Sequence, residues 1–172
     1  MLIVYTGNGK GKTTAALGAA VRLAGRGRKV FFMKFIKTQP SGEDFVEIKS
    51  GSNGEVRMEK CGLGFVGMPG DVLPREKHVE AVKKGLEKIA AEKNNWDACI
   101  FDEINIAVSL GLIPEKQILD LAGEISAKNK IVILTGRGAP DSFIRAADLV
   151  TEMKEIKHPF QQGKKAEEGL DY

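Results

Sequence analysis

The stretch Thr6-Gly7-Asn8-Gly9-Lys10-Gly11-Lys12-Thr13-Thr14 follows a short apolar run, Leu2-Ile3-Val4-Tyr5, near the start of the chain. It nearly fits the phosphate-loop pattern G-x-x-x-x-G-K-[ST]: Gly11, Lys12 and Thr13 are in place, and Thr6 stands where the first glycine belongs. A glycine-rich turn between a strand and a helix lets consecutive backbone N–H groups converge on phosphate oxygens, and the helix dipole favours the anion. In that reading Gly7, Asn8, Gly9, Lys10, Gly11, Lys12, Thr13 and Thr14 form a triphosphate cradle. Lys12 supplies a point charge, and the Thr13 hydroxyl is a ligand for Mg²⁺.

The rest of the chain has the alternation that such a loop needs. Apolar runs at Leu2 to Tyr5, Val30 to Phe35, Ala98 to Phe101 and Ile131 to Leu134 are short and unalternated, as expected for parallel strands covered on both faces. Helical patterns lie between them. Lys12 to Ala24 places Leu17, Ala20, Val21 and Ala24 on one face and stops at Gly25 and Gly27. Arg75 to Lys93 offers Val79, Val82, Leu86 and Ile89, and after Pro114 the apolar face is Ile118, Leu121, Ala122 and Ile125. The expected architecture is a three-layer α/β fold of the phosphate-loop NTPase type, with a mostly parallel central sheet and one domain over residues 1–172.

Two stretches fall outside the alternation. Gly51 to Asp71 holds six glycines around Cys61-Gly62-Leu63-Gly64-Phe65, too many for a regular element, and reads as a lid or pocket wall. The polar tail from Ile156 to Tyr172 is either a surface extension or a cover for the site.

Composition narrows the function classes. The 172 residues are 42% hydrophobic and 28% charged, ordinary for a folded soluble protein. A net charge of +3, with lysines spread along helices and tail, gives no basic stripe, so nucleic acid is not an expected partner. Cys61 and Cys99 lack the spacing of a zinc or redox site. No run approaches the roughly 18 apolar residues of a membrane span, and with the phosphate loop so close to Met1 no signal peptide is expected, which makes the cytoplasm the expected compartment. His78 and His158 each stand alone and read as surface or capping residues.

Magnesium bound to a triphosphate also needs a carboxylate at the end of another strand. Ala98-Cys99-Ile100-Phe101-Asp102-Glu103 puts two acids at that edge. Arg137, within Thr135-Gly136-Arg137-Gly138 after the last strong strand, reads as a phosphate or nucleotide contact. These residues leave three classes open: a hydrolase using Glu103 to orient water, a nucleotide-dependent switch, and a transferase that moves part of ATP to an acceptor.

The order of motifs resembles that of the phosphate-loop ATP:corrinoid adenosyltransferases of the cobalamin pathway. The resemblance is carried by Gly7 to Thr14, Phe35-Ile36-Lys37, Asp102-Glu103, Thr135 to Gly138, and the ending Ile156-Lys157-His158-Pro159-Phe160 through Gly163 and Ala166 to Gly169-Leu170-Asp171-Tyr172. It implies attack of a cob(I) corrinoid on C5′ of ATP, with the loop holding the whole triphosphate as leaving group. It implies Lys12 and Glu103 as catalytic residues, and Thr13 with Glu103 as metal ligands. Where a member of that family has a Phe and a Trp pressing on the corrin, the aligned positions are Leu63 and Phe65. A homodimer and an electron-donor protein such as a flavoprotein are also implied.

Overall fold

The computed structural model describes all residues except Phe65, Met68, Pro69, Lys164, Asp171 and Tyr172, and of Phe160 the backbone alone. Seven strands form one sheet: β1 (Leu2–Thr6), β2 (Lys29–Lys34), β3 (Ile48–Lys49), β4 (Glu55–Lys60), β5 (Ala98–Asp102), β6 (Ile131–Thr135) and β7 (Leu149–Glu152). Their order is β3-β4-β2-β5-β6-β1-β7, and every neighbouring pair is parallel except β3 with β4. The helices are α1 (Lys12–Gly25), α2 (Arg75–Glu92), α3 (Ile104–Ser109), α4 (Glu115–Ser126) and α5 (Asp141–Ala146).

The unalternated apolar strands are explained by cover on both faces. Successive side chains of β2, β5 and β6 point to opposite sides. Phe31, Met33, Cys99, Phe101, Val132 and Leu134 pack with residues of α2, α3 and α4. Val30, Phe32, Ala98, Ile100 and Ile133 pack instead under α1, which meets them with Ala16, Ala20 and Ala24. The result is the expected three-layer arrangement.

The structure corrects three expectations. The buried stripe of α1 is Lys12, Ala16, Ala20 and Ala24, four residues apart, and Val21 is exposed. Alanines allow close approach to the sheet, and the stripe carries Lys12 into the site on the same face. Within the glycine-rich stretch, Glu55–Lys60 is a regular strand. It alternates, with Val56 buried inward and Arg57 outward to Glu59 and Glu92, a pattern the flanking glycines obscured. His78 is buried on α2, its Nε2 3.2 Å from Asp71 Oδ1, so it is no surface residue.

Candidate active site

Because β1, β2, β5 and β6 are parallel, their carboxyl ends open on one edge of the sheet. A cavity of about 580 Å³ lies there, within the range of sites for one small ligand. Its walls include residues 9 to 14 of the loop, Lys37 after β2, the turn at Ser41, Gly42, Glu43 and Val46, Glu103 after β5, and Arg137 after β6. From the tail, His158, Gly169 and Leu170 also line the cavity. Gly7 and Asn8 are outside this lining.

The unusual Thr6 has a structural cause. It is the last residue of β1, buried, and its hydroxyl accepts the Ala139 N–H at 3.2 Å. The turn begins one residue later, at Gly7 with φ 93°. Gly9 is a glycine because the strand end next door leaves no room: a Cβ there would lie 2.8 Å from Met153 O and from Lys154 C. Its N–H donates to Met153 O at 2.7 Å, while Met153 N–H donates to Thr6 O at 2.8 Å. The extension of β7 therefore braces the loop from behind.

Lys12 is buried at the start of α1, and its Nζ donates to Gly7 O at 2.7 Å and Gly9 O at 2.6 Å. Burial lowers its pKa; the nearby Glu103 carboxyl opposes that shift, and the Arg137 charge adds to it. The N-cap of α1 is Gly11, with no capping side chain, so the helix start presents backbone donors to the cavity.

Across from it stands the acidic pair. Asp102 is fully buried at the end of β5, and its Oδ1 accepts the Thr135 hydroxyl at 2.6 Å. Burial pushes its carboxyl up, and the Thr135 and Thr13 hydroxyls draw it part of the way back. Glu103 takes a left-handed backbone, φ 61°, rare for a side chain other than glycine and frequent at functional sites. Its N–H is held by Thr135 Oγ1 at 3.0 Å. Burial and then the adjacent Asp102 push its pKa up to about 7. Gly136, φ 126°, makes space for it, since a Cβ there would meet Glu103 Oε2 at 3.0 Å.

Asp102 Oδ2 and Glu103 Oε2 are buried without a hydrogen-bond partner among the described residues. Buried carboxylate oxygens left unpaired are costly, and two of them beside a threonine hydroxyl form a hard-oxygen donor set that fits Mg²⁺. Among the described residues no three His, Cys, Asp or Glu gather as a self-sufficient metal centre. A cation shared with phosphates needs fewer protein ligands.

Leu63 is 38% exposed and does not line the cavity. It lies beside the continuation of β2, where Gly62 N–H donates to Lys34 O and Gly64 N–H to Ile36 O. Phe65 is outside the described residues. The sequence reading missed Asn105, buried on α3, whose Nδ2 donates to Gly136 O at 2.9 Å and Tyr5 O at 3.4 Å, joining the ends of β1 and β6. It also missed the wall turn at residues 41–46. A lone Asn and a Ser-Gly-Glu-Asp turn carry no motif by which to find them. No helix among the described residues is long and apolar enough to cross a membrane.

Comparison with known proteins agrees with the resemblance read from the motifs. The pattern of the family described as ATP:corrinoid adenosyltransferase BtuR/CobO/CobP matches residues 1–172. The chain is 35% identical over 175 residues to a corrinoid adenosyltransferase of Escherichia coli, covering 100% of this chain and 85% of the relative. It is 34% identical over 173 residues to the corrinoid adenosyltransferase CobA of Salmonella typhimurium, with the same coverage. A corrinoid adenosyltransferase of Pseudomonas aeruginosa is 34% identical over 174 residues, which cover 100% of this chain and 83% of that protein.

Proposed function

The chain belongs to the ATP:corrinoid adenosyltransferase family, and from that premise we propose how its cavity transfers the 5′-deoxyadenosyl group of ATP to the cobalt of a cob(I) corrinoid. The cobalt electron pair forms a bond to C5′, the C5′–O bond breaks, and its electrons leave on inorganic triphosphate. The observation that carries this reading is a full-length family match joined to a cavity lined by a phosphate loop and by Glu103.

Loop residues from Gly7 to Thr14, with Arg137, hold the triphosphate. Gly7 and Asn8 shape the turn, and Lys12 moves from the loop carbonyls to the phosphates when they arrive. Fixed N–H donors and Lys12 stabilise the charge that develops on the departing oxygen, and the rigid edge of the sheet aligns cobalt, carbon and oxygen. Thr13 and Glu103 would hold Mg²⁺, with Asp102 backing Thr13 from the buried side. When bound, the cation neutralises charge on the leaving triphosphate. Glu103 would hold the cation as its carboxylate, and the cation's charge would draw down the pKa that burial and Asp102 raise.

Leu63 and Phe65 face the corrin in this reading; for Leu63 the support is its partial exposure at the sheet edge. A homodimer working in the cytoplasm, supplied with electrons by a flavoprotein, completes the proposal. The test is product analysis. Protein incubated with ATP, Mg²⁺ and chemically reduced corrinoid should yield triphosphate and an adenosylated corrinoid in equal amounts. ADP and phosphate formed without regard to corrinoid would instead mark an ATPase, and negligible turnover a switch.

A further inference from the structure

The wall turn is built in an unusual way. Lys34, the last residue of β2, is 1% exposed, and its Nζ donates to Ser41 Oγ at 3.0 Å, Glu43 Oε1 at 2.6 Å and Asp44 Oδ1 at 2.7 Å. Ser41 donates its hydroxyl to Glu43 at 2.7 Å and its N–H to Asp44 Oδ2 at 3.0 Å. Lys60 closes the network on Asp44 Oδ2 at 3.0 Å. Two cations and two carboxylates thus satisfy one another under a single turn of 3₁₀ helix, Gly42–Phe45. A buried lysine with three acceptors is a rigid anchor, since removing both carboxylates would leave its charge unpaired in a dry place.

What this anchor holds up is apolar. Phe45 is 80% exposed and Val46 55% exposed, and Val46 lines the cavity. A rigid turn that presents two adjacent exposed apolar side chains beside a cavity offers a contact surface rather than core packing. The reading of the reaction given above, on which this inference rests, states what must arrive there. ATP fills a cavity of this size, so a corrin, a broad and largely apolar macrocycle, must lie across the mouth with its cobalt directed at C5′. We propose that Phe45 and Val46 are corrin-contact residues, held beside the cavity mouth by the Lys34 anchor, and that they contribute more to the affinity for the corrinoid than to that for ATP. Lys34 is then a positioning residue that touches neither substrate.

The double variant Phe45→Ser/Val46→Ser tests this. Both side chains are exposed, so polar replacements should leave the melting temperature of the free protein unchanged. The KM for reduced corrinoid should rise about ten-fold or more, as expected for the loss of two apolar contacts, while the KM for ATP, whose cavity Val46 also borders, rises several-fold less. Phe45→Leu/Val46→Ile, which keeps the surface apolar, should restore most of the affinity. An unchanged corrinoid KM would overturn the inference, and so would an equal rise in both KM values. Conversion to a smaller species in sedimentation, together with the loss, would assign the pair to contact between two copies and also overturn it. A wild-type protein that forms no adenosylated corrinoid would overturn the functional reading itself, and this inference with it.

Discussion

Thr135 Oγ1 donates to Asp102 Oδ1 at 2.6 Å and accepts the Glu103 N–H at 3.0 Å, so one hydroxyl at the end of β6 orients both acids at the end of β5. Thr135→Val keeps the shape and removes the bond. It leaves a buried carboxyl and a buried N–H without partners, for a loss of about 1–3 kcal/mol. Denaturant unfolding should show that loss, and turnover should fall with it because Glu103 is no longer held in its left-handed conformation. Unchanged stability would mean that water replaces the hydroxyl.

Lys12 faces ligand rather than core, so Lys12→Ala should fold normally and lower turnover by about 10² to 10³, the range for one preorganised charge-stabilising donor. Steady-state rates beside a thermal melt separate the two effects. A near-normal rate would remove the lysine from the chemistry.

Glu103→Gln keeps the side chain's size and replaces a carboxylate with an amide, a weaker ligand for a hard cation. The expected result is a raised Mg²⁺ requirement, read from rates across a magnesium titration. A fall in rate at unaltered Mg²⁺ affinity would show that Glu103 acts on substrate instead.

Asp44 gives the fold an acid limit. Burial alone would raise its pKa, but hydrogen bonds from Lys34, the Ser41 N–H and Lys60 outweigh it and hold the carboxyl at about 2, below the ordinary 3.8. A depressed native pKa stabilises the fold above the unfolded value and loses that contribution as pH falls through the native one. Melting temperatures of the wild type should therefore drop between about pH 4 and pH 2. Asp44→Asn should start lower at neutral pH and fall less over that interval; parallel curves would rule out the linkage.

Two helical glycines predict opposite outcomes for one substitution. A Cβ on Gly123 in α4 meets nothing within 4 Å, so Gly123→Ala should stabilise by about 0.5–1 kcal/mol. A Cβ on Gly85 in α2 would lie 2.5 Å from Cys61 Sγ and 3.1 Å from Phe35, so Gly85→Ala should destabilise. Matched chemical denaturation of the two variants checks the sign of each.

Local chemistry made much of this molecule legible without coordinates. The loop from Gly7 to Thr14, the four apolar strand runs, the acidic pair and Arg137 depend on spacing along the chain, and spacing is what a strand, a turn and a helix start require of neighbouring residues. The buried faces of α2 and α4 were readable for the same reason, since their periodicity is set within the helix. Tertiary structure alone decided what depends on a distant partner. It put β6 between the phosphate-loop strand and the acidic strand, and made Gly9 obligatory by bringing Met153 against it. It buried His78 on Asp71, drew β4 out of a glycine-rich stretch, and used Lys34 to support the wall turn. In each case the determining contact joins residues that the sequence places apart, and only the packed sheet brings their charges, carbonyls and side chains into reach.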